Sequence, residues 1–250
     1  MSLRLERDGA IARLVIDRAA KRNAFNQAMW DQLPALLDDA AADSAVRVLV
    51  LQSAEPGMFC AGADIAELMA NKDDAAWRAT NQAAINRAQF ELARFPKPAI
   101  AFIDGDCVGG GCGLALACDI RVATTRARLG ITPANLGLVY PLHDTKLLVD
   151  LVGPGQAKRM LFSAQLLSAE EALRIGLIEE IGESADPLAE LIAAKSAHST
   201  SEIKQFVRRI LDGQVADDAE TLGIFAQAFT GPDFHEGTSA FLAKRKPDFR

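Results

Sequence analysis

Two short segments hold the residue types best suited to chemistry. One reads Gly57-Met58-Phe59-Cys60-Ala61-Gly62-Ala63-Asp64, and the other is built on Gly109-Gly110-Gly111. Each follows an apolar run of strand character and precedes a helical one. The first amides of a helix have no intrahelical acceptor, and the helix dipole favours negative charge beside them. Two such amides converging on one carbonyl oxygen would make an oxyanion hole, and losing one donor of that kind typically costs about 10²–10³ in rate. Bulk beside the amides would hold a ligand carbonyl away. Ala61, Gly62 and Ala63 keep the first loop open, as the glycine triplet does the second. The competing reading is close strand–helix packing with no ligand, which glycine also serves.

Other glycine chemistries do not fit. Gly111-x-Gly113 meets Leu116 at the third dinucleotide-fingerprint position, and no acid stands at Ile131-Thr132-Pro133 for a ribose. There is no Gly-Lys-Ser/Thr for a P-loop and no serine elbow. Among titratable residues, Tyr140 is the only tyrosine, and His143 and Asp144 follow it closely. Asp64 and Glu67 lie one turn apart beside the first loop, with Glu67 expected to face solvent. His198 and His235 fall in the C-terminal part and receive no catalytic role. Cys60, Cys107, Cys112 and Cys118 form no C-x-x-C pair. They read as buried reduced thiols, and no metal constellation stands out.

The elements that must position these residues follow from periodicity. Residues 2–7 and 11–16 around Asp8-Gly9 predict a hairpin. Met29, Leu33, Leu36, Leu37 and Ala40 line one face of a helix over 28–41. Val46 to Leu51 is a buried strand. A long helix spans 73–95, capped by Asp73, with Trp77, Ala84, Ala88, Leu92 and Phe95 on one side and Pro96 and Pro98 ending it. Ala99 to Ile103 is the next strand, and Leu114 to Ala117 opens another helix. From about 140 onward the pattern is mostly helical, punctuated by Gly153-Pro154-Gly155 and Gly176, with helices near 200–212, 216–229 and 233–244. The expected class is α/β: a mixed core over 1–195 and a helical region over 196–250.

Composition bounds the function. The chain has 250 residues, half of them apolar and 24% charged, enough for one large domain with a sizeable core. A net charge of −6 argues against a general nucleic-acid binder. The N-terminus lacks the apolar core of a signal peptide, and no apolar run approaches the roughly 20 residues needed to span a bilayer. A cytoplasmic protein without membrane partners is expected.

Several spaced motifs, in order, resemble the crotonase (enoyl-CoA hydratase/isomerase) superfamily. Phe59 through Ile65 resembles its first oxyanion loop, and Asp104-Gly105 through Cys112 resembles its second. Asp17-Arg18 through Lys21-Arg22-Asn23-Ala24-Phe25 is similar to its early turn that contacts coenzyme A. Ser168 to Leu173 with Gly176-Leu177-Ile178, and Gly237 to Pro247, are similar to later family segments. The resemblance implies a spiral of ββα units with a C-terminal helical region, assembled as a homotrimer or a dimer of trimers. It implies an acyl-CoA substrate whose coenzyme A is part of the substrate, with no separate cofactor. It assigns the oxyanion amides to Ala63 and Gly110. Ala61, Gly62, Asp64, Ile65 and Ala66 then border the thioester and adenine, and Lys21, Arg22 and Ala24 lie near the nucleotide.

The acid/base half departs from that pattern. The slots in which the family's hydratases carry two glutamates hold Gly113 and Pro133, and a further aspartate slot holds Pro141. Thr132 through Tyr140 resembles the methylmalonyl-CoA decarboxylase branch, although Ala63 stands where that branch has a histidine. Proton chemistry would fall to Tyr140, His143 or Asp144. The expectation is an acyl-CoA lyase or isomerase working through a thioester enolate without the usual glutamates. A decarboxylase of the methylmalonyl-CoA type and a non-catalytic acyl-CoA-binding subunit are the alternatives. A Clp-type serine protease, similar in fold, would need a serine beside the glycine loop with a histidine partner, and none is there.

Overall fold

The computed structural model describes residues 2–249. Strands β1 (Leu3–Asp8) and β2 (Ile11–Ile16) form the expected hairpin, antiparallel from Leu3 opposite Ile16 to Asp8 opposite Ile11. Helix α1 (Gln27–Ala42) starts where the Asn26 side chain accepts from Met29 N at 3.1 Å, a conventional N-cap. Its buried face is Met29, Trp30, Leu33, Leu37 and Ala40.

The chain then winds through repeated turns, each giving one strand to each of two sheets. The first turn is β3 (Val48–Ser53) and β4 (Met58–Cys60), followed by α2 (Ile65–Ala70) and α3 (Ala75–Ala93). The second is β5 (Ala99–Ile103) and β6 (Asp106–Val108), followed by α4 (Gly110–Ala117). The third is β7 (Ile120–Ala123) and β8 (Arg128–Gly130), then a 3-10 turn at Pro133–Leu136 and α5 (Leu142–Ser163). Short strands β9 (Leu167–Ser168) and β10 (Glu180–Ile181) complete the sheets. Their orders are β1-β2-β3-β5-β7-β10 and β4-β6-β8-β9. From β2 to β10 the larger sheet is parallel, and its central strands are covered on both faces, which accounts for apolar runs such as Val48 to Leu51. One cluster, including Phe25, Trp30, Phe59, Leu92 and Leu114, fills the space on the α1, α3 and α4 side. A smaller one, including Val50, Ile100 and Val122, packs against α7 (Asp186–Ala193).

Helix α6 (Ala169–Arg174) follows β9, and α8 (Ala197–Leu211), α9 (Ala219–Ala228) and α10 (Pro232–Leu242) make the C-terminal region. Lys204 on α8 reaches Asp119 at 2.8 Å, and Arg47 Nη2 donates to Phe249 O at 2.6 Å, tying this region to the sheet. The structure corrects one local expectation: Asp74, not Asp73, caps α3, accepting from Trp77 N at 2.9 Å. Gly153, at φ +72°, breaks the helical backbone between two stretches of α5, where the glycine–proline punctuation falls. After 140 the structure is mostly helical, with the two-residue strands β9 and β10 between helices.

Candidate functional site

The two small-residue loops are neighbours because the strands before them are neighbours. β4 and β6 pair in parallel, Met58 opposite Asp106 and Cys60 opposite Cys107, so the loops into α2 and α4 leave the same sheet edge. Packing is tight enough to require glycine at 111, where a Cβ would lie 2.5 Å from Cys60 O and 2.7 Å from Cys60 Cβ. A Cβ at Gly110 would lie 3.6 Å from Ala63 N. A Cβ sits about 2.5 Å from its own nitrogen, so the two amide nitrogens are within about 6 Å of each other. The loops' own hydrogen bonds run on either side of these amides. Phe25 N donates to Gly62 O at 2.7 Å, and Asp64 N to Phe25 O at 2.8 Å. Gly109 N donates to Gly130 O at 2.9 Å, and Gly113 N to Gly109 O at 3.1 Å. Neither Ala63 N nor Gly110 N takes part in any of them.

Ala63 and Gly110 line one cavity of about 600 Å³, in the size range of small-molecule sites. Ile65, Leu68, Met69, Trp77, Ile85 and Leu138 give it apolar walls, and Pro133 and Pro141 also border it. Neither proline side chain can transfer a proton. Tyr140 and Asp144 line the same cavity, whereas His143 does not. The His143 ring packs 5.8 Å from Phe90, and its Nδ1 lies 3.2 Å from Asp144 Oδ1, behind the carboxylate. His143 therefore meets the cavity lining through its contact with Asp144. Tyr140 Oη donates to Gly109 O at 3.1 Å, and burial pushes its phenol well above the usual range. That proton is committed to the backbone of the glycine triplet, so Tyr140 is placed to brace the second loop and to offer an oxygen lone pair. The sequence left Tyr140, His143 and Asp144 open as carriers of the proton chemistry, and this hydrogen bond ties the Tyr140 hydroxyl to the second loop.

Gly113 lies directly behind this corner. A Cβ at 113 would meet Gln89 Nε2 at 2.3 Å and both Asp144 Oδ2 and Tyr140 Oη at 3.0 Å. The space a side chain would take there is bounded by polar groups from α3, α5 and the segment before α5. Gln89 is the residue that sequence reasoning missed. It lies on α3 with Trp77, Asn81 and Ile85, a four-residue spacing that turns all of them toward the cavity. A glutamine on such a face, next to buried Ala88 and Leu92, was the available signal.

The first loop is held from the side by the turn at 19–25. Ala61 N donates to Arg22 O at 3.0 Å, and Asn23 Nδ2 to Met58 O at 2.9 Å. Arg22 and Asn23 adopt left-handed backbone, at φ +53° and +57°. Lys21 is exposed, Ala24 is buried, and Arg22 projects with its side chain 67% accessible, 3.3 Å from Asp106. Asp64 is fully used within the protein. Its Oδ2 takes Arg18 Nη1 at 2.8 Å, and its Oδ1 caps α2 through Ala66 N and Glu67 N. The Arg18 hydrogen bond first, and these amides after it, hold its carboxyl below the usual range. Ile65 lines the cavity, and Ala66 is exposed on the first turn of α2. Glu67 does not simply face solvent, because its Oε2 accepts from Gln27 N at 2.8 Å. All four cysteines are buried and unpaired, and burial pushes the Cys60 thiol up to about 12. Among the described residues no group of His, Cys, Asp and Glu could hold a metal, and no helix is long and apolar enough to cross a membrane.

A two-sheet spiral with paired backbone amides over an apolar cavity defines the crotonase fold class. Comparison with known proteins agrees. The enoyl-CoA hydratase/isomerase family model matches residues 6–250. A short-chain-enoyl-CoA hydratase of Clostridium acetobutylicum is 32% identical over 97% of this chain and 95% of its own length. A 2,3-dehydroadipyl-CoA hydratase of Escherichia coli is 35% identical over 98% and 97%. The crystal structure of an enoyl-CoA hydratase/isomerase family protein from Hyphomonas neptunium superimposes with a TM-score of 0.96 at 36% identity, covering 100% of this chain and 98% of that one. The chain belongs to the enoyl-CoA hydratase/isomerase family.

Proposed function

We propose that this chain is an enoyl-CoA hydratase-like lyase that carries an acyl-CoA thioester through an enolate, with Asp144 in place of the usual glutamates. The thioester oxygen sits between the N–H groups of Ala63 and Gly110, which stabilise the negative charge as it forms. Asp144 accepts a proton from water as the water oxygen bonds to the β-carbon and the enoyl π electrons move onto the thioester oxygen. It then returns that proton to the α-carbon as the enolate collapses, so water is added with no net charge change. Tyr140 braces the Gly109 carbonyl and His143 orients Asp144. The exposed cations Lys21 and Arg22, with Ala24, flank the first loop where the nucleotide of coenzyme A would lie. Ala61, Gly62, Asp64, Ile65 and Ala66 shape the thioester's approach.

The observation that carries this reading is one cavity bounded by both free amides and by a buried carboxylate. The same carboxylate weighs against decarboxylation of a malonyl-type thioester, because it would face the substrate's own carboxylate as a like charge. Purified protein should consume crotonyl-CoA, seen as loss of enoyl absorbance, and release little CO₂ from methylmalonyl-CoA. The reverse pattern would favour the decarboxylase. Tight thioester binding with no turnover across a panel of acyl groups would favour the binding subunit.

A further inference from the structure

Resting on the proposed enolate reading, we infer that Gln89 is a positioning residue that holds the reacting water against Asp144, at the cavity corner beside Gly113. Gln89 is 1% exposed and borders the cavity, yet neither its Nε2 nor its Oε1 has a hydrogen-bond partner among the described residues. A buried amide without partners is unfavourable and rare in folded proteins. Asn81, two turns earlier on the same face, shows the contrast: its Nδ2 is satisfied by Gln27 Oε1 at 2.8 Å. The Gln89 amide is left for something that enters the cavity.

Its surroundings fix what that is. A Cβ at Gly113 would come within 2.3 Å of Gln89 Nε2 and 3.0 Å of both Asp144 Oδ2 and Tyr140 Oη, so the three groups stand together at one corner and the Gln89 amide already fills the place of a side chain at 113. A carboxylate oxygen accepts, and the Tyr140 hydroxyl already donates its hydrogen bond to Gly109 O. The amide supplies the donor that the corner otherwise lacks. A water on the cavity side of this corner accepts from the Gln89 amide and gives one hydrogen to Asp144 and the other to Tyr140 Oη. Its remaining lone pair is free for the substrate. The geometry also explains why residue 113 has no side chain: any Cβ would displace the Gln89 amide.

Three measurements test this. In crystals with acetyl-CoA bound, ordered water should lie within hydrogen-bond distance of Gln89 and Asp144, and its absence would overturn the inference. With crotonyl-CoA, Gln89→Leu should lower kcat about 100-fold while leaving KM within about threefold. Unchanged kcat, or a loss confined to KM, would sink it. Gly113→Ala should push the flexible end of Gln89 aside and produce a similar kcat loss, and the double variant Gln89→Leu, Gly113→Ala should lose no more than either single one. Multiplying losses would mean the two residues act separately. If the wild type does not hydrate crotonyl-CoA, the hydratase reading fails, and the water density then decides the Gln89 site alone.

Discussion

Asp144 is buried, and among the described residues its only hydrogen-bond partner is His143, at 3.2 Å. A carboxylate so placed costs stability, and removing its charge by an isosteric change should relieve that cost. Asp144→Asn is expected to melt at the same temperature as the wild type or higher, while kcat on crotonyl-CoA falls about 10²–10⁴-fold, the range of a general acid/base. Retained turnover in that variant would remove Asp144 from the mechanism. Asp64 is the opposite case, a carboxylate whose two oxygens serve Arg18 and the first turn of α2. Its folded carboxyl lies below the unfolded value of about 3.9, so the stability it adds is present above that pH and is lost as pH falls through the folded value. Asp64→Ala should cost about 1 kcal/mol or more at neutral pH from the lost cap. In urea unfolding, the gap between wild type and variant should close as the medium is made strongly acidic. A gap that widens in acid would reverse the sign of this assignment.

At the scale of elements, the two loops meet because β4 and β6 lie side by side and because nothing larger than hydrogen fits at 111. Gly111→Ala would drive a methyl into Cys60 O and Cβ, both fixed by the β4 backbone. A loss of about 1–3 kcal/mol in chemical denaturation is expected, together with weaker thioester binding as the two amides separate. Binding and stability equal to wild type would show that the loops are not in this contact. These loops were legible in the sequence because small residues between a strand and a helix are a local signal, as was the Asp8-Gly9 turn of the hairpin. What escaped depends on distant partners. Strands β9 and β10 have two residues each and exist only because β8 and β7 offer them a ladder. The Asp144 corner draws on α3, α4 and α5, which no spacing along the chain brings together. Sequence placed Tyr140, His143 and Asp144 as alternatives, and only the packing shows that Tyr140 and Asp144 line the cavity while His143 lies behind Asp144.

For the whole molecule, the unfinished feature is apolar surface on the C-terminal helices. Ile203 is 61% exposed, Phe241 82% and Leu242 81%, and a groove on α8 is lined by Ile120, Ile203, Val207 and Leu211. Large contiguous apolar patches are uncommon on soluble monomers and point to covered surfaces. The trimer, or dimer of trimers, that the family resemblance implies would cover them with other copies of this chain, and the net charge of −6 is small enough to permit close approach. Light scattering on the purified protein should give a mass of three or six chains. A Phe241→Asp, Leu242→Asp variant should shift that mass toward one chain, because each new carboxylate would have to be buried unpaired at the contact. The core itself should remain folded, since both side chains already lie at the surface and add little to the packing beneath. A wild type that stays monomeric at micromolar concentration would leave those helices to some other partner and remove self-assembly from the account.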